Sequence, residues 1–155
     1  MDNARDRRYD RARVEPAGPL ECVALLLVRD HHVLVEKRKL TKRLAPGAVA
    51  LPGGHVEAGE RLDEALVREA REELGIVLHD AAFVCTLLHQ AEELRRLHYF
   101  AVRAWGGEIV PAEAESVLWM SLDAVRQLDF DVDRTAVSEY VRLEREGGLV
   151  WRTSV

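Results

Sequence analysis

The chain has little cysteine, and neither of its two thiols fits a metal-binding or redox spacing. Cys22 and Cys85 lie in apolar, strand-like surroundings and read as buried thiols. Long apolar runs are missing too. The longest candidate, Cys22 to Val28, suits a buried strand and falls far short of the roughly 18 residues that cross a bilayer, which excludes a membrane partner. The opening stretch MDNARDRRYDRARVEPAGP has no apolar segment of the secretory kind, so the expectation is an intracellular, cytoplasmic protein. Basic excess is also lacking: 22 Lys and Arg face 27 Asp and Glu, a net charge of −5. Such a field repels phosphates in bulk and argues against nucleic acid as a partner, so a polyphosphate substrate would need cations at its site.

What is present is the make-up of an ordinary folded domain, 48% apolar and 32% charged over 155 residues. Residues 1–19 alternate Arg5, Arg7, Arg8, Arg11 and Arg13 with Asp2, Asp6, Asp10 and Glu15 before a Pro- and Gly-containing break. They read as a polar N-terminal arm, with residues 20–155 as a single domain. This arm or an edge strand could support a homodimer. Leu20 to Val28 is an aliphatic strand, Arg29-Asp30-His31 a turn, and Val33 to Lys37 an alternating return strand of a hairpin. Lys39 to Ala50 reads as a loop, and Leu51-Pro52-Gly53-Gly54 as a tight backbone feature using glycine's freedom at positive φ. Strands are expected at Ala82 to His89, Leu97 to Trp105 and Val117 to Met120, and a short helix at Leu122 to Leu128. A longer helix runs from about Thr135 to Glu146, with Asp133 as its N-cap. Strands interrupted by helices in this order imply an α/β fold, an α/β/α sandwich around a mixed sheet.

The helix from Arg61 to Leu74, stopped by Gly75, carries the chemistry. Leu62, Leu66, Ala70 and Leu74 form its apolar stripe. At 100° per residue, Glu73 falls just inside the stripe's margin, Glu69 at its edge and Glu72 further round on the Glu69 side. Three glutamates within five residues near a helix C-terminus repel one another and oppose the macrodipole, and no lysine or arginine follows any of them by four residues. A divalent cation relieves that repulsion, and hard oxygen donors suit magnesium, for which manganese can substitute.

The segment Gly54 to Ile76, GHVEAGERLDEALVREAREELGI, resembles the Nudix hydrolase signature: Gly, five residues, Glu, seven residues, then Arg-Glu-aliphatic-x-Glu-Glu-x-Gly-aliphatic. Every specified position fits, with Ala70 a small choice for the first aliphatic one. The Leu-Pro-Gly-Gly lead-in and Trp119 before a short helix extend the likeness. The resemblance implies a Nudix-like sandwich and magnesium-dependent cleavage of a nucleoside diphosphate linked to another moiety, nucleoside triphosphates included, by water attacking phosphorus. It implies metal binding by Glu69, Glu72 and Glu73, with Arg68 pairing with Glu60 to orient it and Glu60 in the metal's outer sphere. Gly53 and Gly54 would let the backbone approach metal or phosphate. One further acid is expected from a loop, Glu113 with Glu115 as competitor, and either Glu69 or Glu113 as general base. Arg38 is the candidate phosphate contact and Asp133 a candidate base reader. The competing reading keeps this fold as a nucleotide-sensing regulatory domain without turnover.

Overall fold

The computed structural model describes residues 18–155, so the arm expected over residues 1–19 lies almost wholly outside the described residues. Its elements are β1 (Leu20–Arg29), β2 (His32–Lys37), β3 (Val49–Ala50), β4 (Gly53–His55), α1 (Leu62–Leu74), β5 (Val77–Leu78), β6 (Ala82–Gln90), β7 (Leu94–Val102), β8 (Trp105–Gly106), β9 (Ser116–Ser121), a 3-10 helix (Leu122–Gln127) and α2 (Asp131–Glu146). No described helix is long and apolar enough to cross a membrane.

The strand β1 is the spine because it is apolar on both faces, with Leu25, Leu26 and Leu27 fully buried. Val23, Leu25 and Leu27 pack under Leu66, Ala70 and Leu74 of α1. Ala24, Leu26 and Val28 pack on the other side, where Ala136, Val137 and Tyr140 of α2 cover them. The sheet between the helices runs β3-β2-β1-β7-β6, with β4 added to β1 and β9 to β2. The β1–β7 pair is parallel and the other pairs are antiparallel, so the sheet is mixed and the fold is the α/β sandwich of the sequence reading.

Several boundaries differ from that reading, each for a physical reason. The β1–β2 hairpin turns on Asp30 and His31, both at positive φ, as a two-residue loop of that twist requires. Strand β7 starts at Leu94, because its pairing with β1 draws Arg95 and Arg96 into register with Leu20 and Glu21, and Arg96 bonds Glu21 at 2.5 Å. Trp105 leaves that strand and pairs instead in β8 with β5, which was not anticipated. Leu51-Pro52-Gly53-Gly54 is extended and not the expected tight backbone feature, since Gly53 to His55 form β4 and neither glycine has positive φ. Helix α2 starts at Asp131, four residues before Thr135. Arg134 reaches back to the Leu128 carbonyl and the Asp131 carboxylate and so extends the first turn. Phe130 is thus the N-cap, and Asp133 sits inside the helix.

Candidate active site

A split along one edge of β1 makes the site. Near its start this edge pairs with β4 at Cys22–Ala24, and at its end with β2 at Val28–Arg29. The two partners diverge between those points, and a cleft of about 870 Å³ opens there. One wall is α1, which brings up Glu69, Glu72 and Glu73 with Arg68. The far side is the start of α2 with Phe130 and Asp133.

Arg68 organises the acidic wall. Its Nε donates to Glu60 Oε1 at 2.7 Å, and its Nη2 donates to Glu60 Oε2 at 2.9 Å and to the His55 carbonyl at 2.8 Å. Its Nη1 donates to Glu69 at 2.8 Å and to Glu72 at 3.0 Å. A planar fork is what lets one side chain fix three carboxylates. Hydrogen bonding from Arg68, then from the Glu57 N–H, pulls the Glu60 carboxyl down to about 2. Glu60 therefore stands behind Arg68 and does not line the cleft.

Depth along the wall differs from the helical-wheel order. Glu69 is buried, at 6% exposure, whereas Glu73 is only half-buried. Gly54 explains this: a Cβ there would collide with the Glu69 carboxylate, so the missing side chain is the space into which Glu69 sinks. A Cβ on Gly53 would instead strike the Val23 carbonyl oxygen, so that glycine serves strand packing. Burial raises the Glu69 pKa against the pull of Arg68. Burial also raises that of Glu73, with the charges of Glu113 and Glu69 adding to it. Groups so placed gain from a cation, and every donor is a hard carboxylate oxygen, which fits magnesium or manganese. Among the described residues no three such side chains already form a closed cage, because Arg68 holds Glu69 and Glu72 while Lys42 holds Glu113 at 3.4 Å.

The cleft also gathers Arg38, Gly53, Gly54, Glu113 and Asp133, but not Glu115. Arg38 is held in its loop by its Nε bond to the Leu44 carbonyl at 3.2 Å. Asp133 is buried, and its oxygens accept from Tyr99 O–H at 2.8 Å and Leu51 N–H at 3.0 Å, so it ties α2 to the sheet. His89 lines the cleft edge-on to Phe130, whereas His98 faces away and bonds Glu21. Trp105 and Trp119 stack on each other with Arg29 over them, away from the cleft.

Four charged cleft residues escaped the sequence reading, Glu36, Glu57, Glu92 and Arg95. Glu36 shares a face of β2 with buried Leu34, and burial first, then the charge of Glu73, pushes its pKa to about 7. Its signal was available as an acid in an inward-facing strand position. Arg95 gave no such signal, because its place depends on the register of β1 against β7.

A model of the NUDIX domain matches residues 19–140. The chain belongs to the Nudix hydrolases. It is 34% identical to the CTP pyrophosphohydrolase of Escherichia coli over 111 residues, which are 70% of this chain and 80% of that one. The NAD-capped RNA hydrolase NudC of Stutzerimonas stutzeri is 32% identical over 101 residues, 64% of this chain, and the match spans only 35% of its length. The crystal structure of a MutT NUDIX hydrolase from Burkholderia pseudomallei superposes with a TM-score of 0.72 at 30% identity, covering 79% of this chain and 98% of that one. This Nudix chain thus sits in a family of pyrophosphohydrolases acting on nucleotides, which generally use divalent metal ions.

Proposed function

We propose that the protein is a magnesium-dependent pyrophosphohydrolase whose working unit is residues 20–155 and whose substrates are nucleoside triphosphates or other nucleoside diphosphates linked to a second moiety. The observation that carries this is the acidic wall itself: Glu69 and Glu73, both with raised pKa, face an open cleft beside Glu72 and Glu113, where hard oxygen donors gather as a divalent cation requires. A free nucleotide is favoured over a capped RNA by the net charge of −5 and by the fuller overlap with the CTP enzyme.

Glu69, Glu72, Glu73 and Glu113 would hold the metal, with Glu60 acting through Arg68. When bound, magnesium or manganese neutralises phosphate charge and makes a water more acidic. Arg68 keeps the carboxylates spaced and pointed into the cleft. Glu69 or Glu113 accepts the proton of the attacking water as the P–O bond to the bridging oxygen breaks and the other phosphate departs with that oxygen, and Arg38 binds a phosphate oxygen.

The test is phosphate or pyrophosphate release from nucleoside triphosphates, dinucleoside polyphosphates, ADP-ribose and nucleotide sugars, with and without magnesium. We expect Glu73→Gln to fold normally and to lose hydrolysis by roughly 100-fold or more, the scale of removing a charge-stabilising group from a reaction centre. Unchanged turnover in that variant, or tight nucleotide binding with no hydrolysis of any member by the wild-type protein, would overturn the reading.

A further inference from the structure

Three arginines line the cleft, and two of them are engaged: Arg68 by its glutamates and Arg38 by the Leu44 carbonyl. The third differs. Arg95 has its Nε buried without a hydrogen-bond partner, and no described residue forms an ion pair with it. The nearby acid of the β6–β7 hairpin is unavailable, because Arg43 holds both Glu92 oxygens at 2.5 and 2.7 Å. A guanidinium with an idle, desolvated donor inside a ligand cleft is costly unless a ligand completes it.

Its position says which part of a ligand that is. Arg95 pairs with Leu20 and Gly54 with Val23 on the same strand, so the two rungs are separated by three residues, roughly 10 Å along the sheet. The Arg95 backbone is therefore set back along β1 from the rung whose Gly54 faces Glu69. Its surroundings are largely apolar and aromatic: Cys22 and Leu97 share its face of the sheet, and His89, its paired neighbour on β6, meets Phe130 edge-on. Such a slot fits a flat base. A phosphate would call for several free cations or backbone N–H groups, and among the described residues the other arginine near Arg95, Arg43, is taken up by Glu92.

We infer that Arg95 is a specificity-determining residue whose guanidinium donates to a carbonyl oxygen of the substrate's base, so that carbonyl-bearing bases are preferred over adenine. Guanine, cytosine and uracil each carry such an oxygen with two lone pairs, whereas adenine's acceptors are ring nitrogens with one lone pair each, two of them beside an amino group that a guanidinium cannot bond as a donor. Arg43 takes the part of a positioning residue that keeps Glu92 off Arg95. The inference rests on the nucleotide reading above.

The experiment compares wild type with Arg95→Met, which keeps an unbranched apolar stem and removes the donors. Steady-state kcat and KM are measured for GTP, CTP, UTP and ATP in magnesium, and affinities for nonhydrolysable GTP and ATP analogues by calorimetry. We expect KM and Kd for the carbonyl-bearing nucleotides to rise roughly 10- to 100-fold with kcat little changed, while ATP stays within about threefold of wild type. Arg43→Ala should raise KM for the same nucleotides in the wild-type background and do nothing further beside Arg95→Met. An equal loss for all four nucleotides, or no loss, overturns the role of Arg95. If wild type hydrolyses none of them, the nucleoside triphosphate part of the hydrolase reading fails by itself, and the calorimetric comparison still decides whether Arg95 discriminates.

Discussion

Asp80 and Glu69 are buried to nearly the same depth, at 4% and 6% exposure, yet the fold treats these two carboxylates in opposite ways. Asp80 accepts from the Arg103 and Ala104 backbone N–H groups, each at 3.0 Å, and from Arg103 Nε at 2.7 Å. Its hydrogen bonds are complete, and they close the corner between β5 and the end of β7. Glu69 receives one hydrogen bond, from Arg68, and lies in a hollow that exists because Gly54 has no side chain. A buried acid with all its donors is scaffold, whereas one with half of them, beside other acids and an open cleft, is prepared for something that binds later.

The sharpest way to break this comparison is to remove the satisfied carboxylate. Asp80→Ala leaves two part-buried backbone donors unpaired and frees a half-exposed guanidinium, so we expect a loss of about 2 kcal/mol in urea unfolding. Well below the unfolding transition, kcat/KM should stay close to wild type. A selective fall in kcat/KM with stability retained would mean that Asp80 belongs to the site and that the distinction is wrong.

Next in size is Gly54→Ala, which acts on the other carboxylate without touching it. The new methyl occupies the Glu69 hollow and pushes the carboxylate out of line with Glu73. We expect hydrolysis to fall roughly 10- to 100-fold, as displacement of a positioned group does, with stability altered much less than by Asp80→Ala. Restoration of activity by high manganese would localise the damage to metal affinity. Full activity of the variant at low magnesium would show that the depth of Glu69 is immaterial.

These contrasts also separate what could be read from the chain alone from what could not. The glutamates of α1 and their spacing were legible because they lie within one helix, where 3.6-residue periodicity decides who shares a face. Their relative depth was not. Periodicity gives an angle round the helix, while depth depends on the neighbour, and the hollow over Gly54 sinks Glu69 below Glu73. The sandwich was legible from its alternating apolar segments. The register that slides Arg95 and Arg96 beside Leu20 and Glu21 was not, since it is a contact between strands some 75 residues apart in sequence. Asp133 shows a third limit: its type suited an N-cap, and tertiary bonds to Tyr99 and Leu51 put it to a different use.

Glu36 offers the gentlest probe, because it carries the unfinished character of Glu69 into a residue outside the signature. Its folded pKa of about 7 lies above the ordinary 4.5, so the folded protein keeps a proton that the unfolded chain releases. Stability on this account falls as pH rises from about 4.5 to about 7, and the penalty is complete above that. Glu36→Gln removes the titration. The variant should be more stable than wild type at pH 8, by at most about 3 kcal/mol, and indistinguishable from it near pH 4.5. Thermal or urea unfolding across that range measures the difference directly. Magnesium should narrow the gap at pH 8, because a cation among the carboxylates eases the charge on Glu36 in wild type and has no such charge to ease in the variant. A stability difference independent of pH would place Glu36 with Asp80, as an acid whose surroundings already satisfy it.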